Sequence, residues 1–145
     1  MPLLAADAPF APRQTNTGLF VQLHEMGYGA PEIVRVRDAY RLACRMFNGR
    51  YRKTERPFIC HAVGTASAIL RFGGTIDLVV GGMFHAVYDS GQFPDGRNGG
   101  ATAAHRAWLR ARIGTAAEAI AARYAAFRFD TGDPERMLAA GPQAG

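Results

Sequence analysis

Lysine is nearly missing from this chain. Lys53 is the only one, so arginine carries almost all of the positive charge behind a formal net charge of +5. Cysteine is scarce as well: Cys44 and Cys60 each fall in an expected helix, which argues against the disulfide framework of a small secreted domain and for reduced, packed thiols. Long hydrophobic runs are absent, and nothing approaches the roughly 20 apolar residues that cross a bilayer. Met1 to Pro12 place no Lys or Arg before a short apolar stretch that Asp7 and Pro9 interrupt, a poor match to a secretory signal. The expectation is a cytoplasmic protein without a membrane partner. No zinc pattern, arginine-rich tail or recognition-helix motif is present, so nucleic acid is not an expected partner either. The pairs Gly73-Gly74, Gly81-Gly82 and Gly99-Gly100 lack the spacing of a phosphate-binding loop; Gly81-Gly82 inside a helix points to close helix packing or to room for a ligand.

Alternating β-branched patterns are missing too, which excludes strands and leaves an all-α domain. At 145 residues, 48% hydrophobic and 20% charged, the chain suits one domain with one core. Thr15, Asn16 and Thr17 offer caps to a first helix that Gly27 and Gly29 end. Pro31 suits the first turn of a second, running to about Phe47. Pro57 starts a third that stops at Gly73-Gly74, and Thr75 caps a fourth expected to continue through Tyr88. A glycine-rich loop follows from Asp89 to Gly100, and residues 101–129 read as helix broken near Gly114, with Thr115 as a cap. The expected layout is a flexible N-terminus over 1–14, a single bundle of five or six helices over 15–129, and a flexible tail over 130–145.

Charge is unevenly spread. Arg35, Arg37, Arg41, Arg45, Arg50, Arg52, Lys53 and Arg56 crowd one short stretch against only Asp38 and Glu55, a density that attracts anions. Arg37, Arg41 and Arg45 repeat every four residues and read as a solvated helix stripe. Cys60 adjoins His61, but neighbours on a helix point about 100° apart and do not form a thiolate–imidazole pair. His24 and His105 read as surface or structural residues.

The stretch Phe47 to Leu70, FNGRYRKTERPFICHAVGTASAIL, resembles the start of the hydrolase domain of RelA/SpoT-type enzymes, which belong to the HD-domain superfamily. Those proteins carry a His at a helix end, a basic loop, then a proline–aromatic–aliphatic–His entry into the next helix. Downstream, Phe84-His85-Ala86-Val87-Tyr88-Asp89-Ser90 resembles the family's His-Asp segment with acidic residues after it. The resemblance covers about the middle third of the chain and implies an HD-like helical bundle. Family members hold a divalent metal with a first His, a second His, the His-Asp pair and a last Asp. Here Phe47 stands at the first position, His61 at the second, and the pair is His85-Ala86; Asp130 and Asp133 are the candidates for the last. A hydrolytic metal needs three or more fixed ligands and an open position, so no metal and no cofactor is expected.

The resemblance taken with these departures gives the expectation of a metal-independent acid–base enzyme of isomerase, cyclase, lyase or hydratase type, acting on a small anionic or polar biosynthetic intermediate. His61 and His85 would move protons. Asp89, four residues after His85, would orient its ring if the helix continued, or else cap the following loop. Tyr88 is either an acid or a core aromatic. Arg52, Lys53 and Arg56 would hold the anionic group, and Phe47 and Ala86 would make the vacated positions apolar. Two other classes remain open: a non-catalytic ligand-binding or interaction domain, and a metal phosphohydrolase with His61, His85 and Asp89 as replacement ligands.

Overall fold

The computed structural model describes residues 10–127. The expected terminal segments outside that range, with Asp130 and Asp133, lie beyond the described residues. The protein is all-α, and the described residues form six helices of eight residues or more and one four-residue turn, in the order α1 (Asn16–Glu25), α2 (Ala30–Met46), α3 (Phe58–Arg71), α4 (Ile76–Met83), α5 (Val87–Ser90), α6 (Ala103–Ile113) and α7 (Thr115–Ala126). Among the described residues there are no strands, only isolated bridges at Tyr51–Pro57 and Gln92–Asn98 that close the two long loops.

Local chemistry explains the boundaries. Thr15, Thr75 and Thr102 cap α1, α4 and α6, each side-chain oxygen accepting from a backbone N–H of the first turn, which satisfies donors that the helix itself leaves unpaired. Gly114, at φ 91°, makes the corner between α6 and α7 and is the residue that precedes α7, the place where the sequence suggests Thr115. That left-handed backbone suits glycine alone.

The core forms where α4 lies across α2, α3 and α7. Leu19, Leu23, Val36, Val63, Leu70, Val79, Met83, Phe84 and Leu109 are all buried there. Glycines let the helices approach. A Cβ on Gly81 would meet the Ala117 carbonyl oxygen and Ile120 Cβ, both at 2.8 Å, and one on Gly82 would meet Ile69 Cδ1 at 2.2 Å. Of the two readings of this pair, packing is therefore the one it serves, with Gly81 against α7 and Gly82 against α3. On the other side, Ser67 and Gln22 exchange hydrogen bonds between α3 and α1, and the Arg13 N–H donates to Ser67 Oγ at 2.8 Å.

The fourth helix departs from the sequence expectation. It stops at Met83, and Phe84, His85 and Ala86 form turns before α5 begins. Three-residue bonds replace the α-helical ladder here, with His85 N–H donating to Gly82 O at 3.2 Å and Val87 N–H to Phe84 O at 2.9 Å. The physical reason is local. The His85 ring also donates to the Gly82 carbonyl, at 2.7 Å, and so takes the acceptor that the Ala86 N–H would use in a continuous helix.

Candidate functional site

Two elements bring the histidines together. His61 sits one turn into α3, just after the basic loop, and His85 sits in the break between α4 and α5. Because α3 and α4 pack side by side over Gly82, the two Nε2 atoms lie 3.0 Å apart, with the rings edge to face at 79°. His85 is buried and His61 half-buried.

Hydrogen-bond logic orders the protons. Gly82 O can only accept, so His85 Nδ1 carries the hydrogen and Nε2 of the neutral ring is an acceptor. His61 Nε2 must then donate to it, which leaves His61 Nδ1 as an acceptor, and the Arg52 guanidinium donates to that atom over a long 3.4 Å. The result is a directed chain from Arg52 through His61 and His85 to the Gly82 carbonyl. Burial, the neighbouring His85 ring and the Arg52 charge together push the His61 pKa down to about 4. Burial also lowers that of His85, outweighing the Gly82 bond that favours its charged form. Both rings are neutral at pH 7.

Aromatic rings frame the pair. Phe58 meets His61 edge-on at 5.6 Å, and Tyr124 meets His85 edge-on at 4.8 Å. Phe47 is buried and stacks on Phe58 at 4.8 Å, so it reaches His61 only through that ring. Ala86 is buried beside His85, where it precedes α5. Sequence reasoning did not single out Phe58 or Tyr124; Phe58 lies three residues before His61 and its spacing was readable, whereas Tyr124 arrives from a different helix.

The other expected residues part from this centre. Asp89 is exposed, and its carboxylate takes no hydrogen from His85. With α4 interrupted, the two residues do not share a helical face, and the Gly82 carbonyl orients the imidazole instead; Asp89 acts on His85 only through its charge. Tyr88 is buried, and its hydroxyl donates to Glu118 Oε1 at 2.7 Å. Burial and the Glu118 carboxylate raise its pKa well above the ordinary phenol value, which makes it a core residue and not an acid. Arg56 donates to Gln14 at 3.3 Å, and Lys53 is exposed on the loop tip, so of the three basic candidates only Arg52 touches a histidine.

Among the described residues no three His, Cys, Asp or Glu side chains converge. The two imidazoles are bonded to each other. Three fixed ligands are the minimum for a hydrolytic metal, and among the described residues His61 and His85 supply two.

Two polar clusters lie elsewhere. Glu118 is fully buried in α7 and accepts from Tyr88, Arg106 and Arg110. Burial alone would raise its pKa, but the hydrogen bonds from Arg106, Tyr88 and Arg110 hold it down at about 2. His105 donates to Gly100 O and to Asp95, both at 2.8 Å, and stacks flat on Phe93 at 3.8 Å. Burial opposes its charge, yet the bonds to Asp95 and Gly100 raise its pKa above the ordinary value. It is a structural clasp on the glycine-rich loop. Comparison with protein-family models, curated proteins and solved structures finds no match to this chain.

Proposed function

We propose that the protein is an acid–base enzyme on an HD-like helical scaffold, in which His61 exchanges a proton with a small anionic substrate and His85 supports it. The observation that carries this reading is the 3.0 Å Nε2–Nε2 contact with its fixed polarity. His61 Nδ1 is the accepting end of the chain and faces the half-exposed side. A substrate proton taken there is matched by passage of the Nε2 hydrogen from His61 to His85, leaving His61 neutral and His85 as an imidazolium held between Gly82 O and His61. The return transfer restores both rings, so an isomerisation, elimination, cyclisation or hydration closes without oxidant or metal.

Arg52 supplies the switch. Its 3.4 Å bond to Nδ1 is weak and easily exchanged for a substrate carboxylate or phosphate. Pairing it with an anion also removes one of the charges that depress His61, so the base strengthens when substrate binds. Asp89 favours the charged His85 over the same field.

The test is a thermal-shift screen of small anionic metabolites, followed by incubation of the stabilising compounds in D2O. Deuterium entering a carbon position of the ligand, lost by about 10²–10⁴-fold in His61→Ala, supports the reading. Ligands that bind without exchange or turnover, together with His61→Ala and His85→Ala variants that change only stability, would assign the chain to a non-catalytic ligand-binding domain.

A further inference from the structure

A cleft of about 500 Å³ opens between α2, the loop after α5 and α6, and it shares no lining residue with the histidine pair. Its volume falls in the ~300–1,000 Å³ range of small-molecule sites. The floor is apolar, made by Leu42 and Met46 of α2, Phe93 of the loop and Trp108 of α6; the charged groups on its wall are Arg45 and Arg112. No described carboxylate lines it. The nearest acid in sequence, Asp95, is held by His105 Nε2 at 2.8 Å and by the Arg97 N–H.

The walls are fixed from three sides. The Gln92 N–H donates to Met46 O at 2.8 Å, tying the loop to the end of α2. Phe93 is clamped flat on His105 and meets Trp108 edge-on at 5.9 Å. Arg112 lies over the Trp108 ring at 3.8 Å and donates one N–H to the Trp108 carbonyl, which leaves further guanidinium donors beside the apolar floor. The Arg45 side chain has no hydrogen-bond or ion-pair partner among the described residues. Two cations over aromatic and aliphatic surface, with no carboxylate in the lining, select a ligand that is apolar at one end and anionic at the other.

The geometry points to a second binding site here, for a small aromatic carboxylate whose ring packs on Trp108, Leu42 and Met46 and whose carboxylate pairs with Arg45 and Arg112. Planar guanidinium groups match carboxylate oxygens two at a time, and the indole gives a ligand ring an aromatic wall beside the Arg112 guanidinium that lies over it. An alkyl chain of the same volume would forgo that aromatic contact, and a bare inorganic anion would leave the apolar floor wet.

Trp108 is the chain's only tryptophan, so its fluorescence reports this site directly. The probe is phenylacetate, compared with neutral phenylacetamide and with inorganic phosphate. The expected result is a saturable change in Trp108 emission with phenylacetate, and affinity about tenfold or more weaker for phenylacetamide and for Arg45→Gln and Arg112→Gln, the loss typical of a charge-assisted bond. Arg41→Gln removes a charge from the same helix outside the cleft and should leave binding within about twofold; Arg45→Lys keeps the charge and should fall between wild type and Arg45→Gln. Circular dichroism and melting confirm that each variant is folded. His61→Ala and Arg52→Gln should bind phenylacetate as wild type does, which separates this site from the histidine centre. An absent or unsaturable signal, equal binding of the amide, inorganic phosphate binding as tightly as phenylacetate, or an Arg41→Gln loss as large as that of Arg45→Gln would each overturn the assignment.

Discussion

The Nε2 atoms of His61 and His85 stand 3.0 Å apart, and the carbonyl of Gly82 decides which of them carries the hydrogen between them. Nitrogen–proton correlation spectra at neutral pH should show His85 protonated at Nδ1 and His61 at Nε2, with neither of these two rings an imidazolium. On acidification His61 should titrate at about 4, well below the ~6.5 of a free imidazole. Because the unfolded chain binds these protons first, stability should decline as pH falls from about 6.5 toward 4. His105 has the opposite sign: its raised folded pKa contributes stability that is complete below about 6.5 and lost as pH rises through the folded value. A His61 midpoint near 6.5, or the reverse tautomer on His85, would remove the directed chain.

Much of this arrangement is written locally. Threonine caps, glycine stops and the proline at the start of α2 mark the helices within a residue or two, and His61 and His85 stand out by their sequence context. The break at Phe84 to Ala86 was not legible, because its cause is a ring donating to a backbone carbonyl three residues back, a competition that apolar periodicity does not register. The orienting role of Asp89 failed for the same reason, since it required the helix to continue through the missing turn. Glu118 escaped notice because it sits in an alanine-rich helix; its signal is the Arg106, Arg110 pair on α6, four residues apart, which needs an acid to face it. The Trp108 cleft joins three elements distant in sequence, and only tertiary packing assembles it.

Completing the ligand pattern of the HD-domain proteins that Phe47–Leu70 and Phe84–Ser90 resemble tests the proposed scaffold through metal affinity. Ala86→Asp adds a carboxylate beside His85, and Phe47→His adds a third imidazole at the position now stacked on Phe58. The double variant should bind Mn²⁺ or Zn²⁺ at least about tenfold more tightly than wild type, a change no smaller than those seen when supporting residues are lost from natural sites. Calorimetric titration measures this. A folded double variant with wild-type metal affinity would mean that the backbone here differs from the metal-binding frame.

Gly81→Ala and Gly82→Ala should separate in an order opposite to their contact distances. An added Cβ on Gly82 comes closer, 2.2 Å from Ile69 Cδ1, but that atom ends a side chain and can swing away. A rotamer adjustment of about 0.5–1.5 kcal/mol is offset by the ~1 kcal/mol that alanine gains over glycine in a helix, so Gly82→Ala should be nearly neutral. Gly81→Ala meets the Ala117 carbonyl oxygen and Ile120 Cβ at 2.8 Å, neither of which moves without the helix. Overpacking of about 1–3 kcal/mol then dominates. Urea unfolding of both variants decides it, and equal midpoints would show that α4 and α7 can part without cost.

Glu118 should be the most sensitive polar residue of the fold. Its carboxylate is fully buried and accepts from Tyr88 at 2.7 Å, from Arg106 at 2.8 and 3.2 Å, and from Arg110 at 3.1 Å. Glu118→Ala leaves the Tyr88 hydroxyl buried without its acceptor and should cost about 3 kcal/mol, the low end for breaking a buried ion pair, because both guanidinium groups keep access to water. Glu118→Gln keeps the shape but turns an amide N–H toward a guanidinium, for a loss of about 1.5–3 kcal/mol. Tyr88→Phe removes one neutral-donor bond and should cost about 1 kcal/mol while leaving any His61-dependent turnover unchanged, as expected of a residue that never reaches the histidines. The pH signature is specific. With its folded pKa depressed to about 2 from 4.5, Glu118 contributes stability that is present above about 4.5 and lost as pH falls toward 2. Unfolding midpoints measured across that range should flatten in Glu118→Gln relative to wild type; an acid limb of unchanged steepness would mean that other carboxylates carry it.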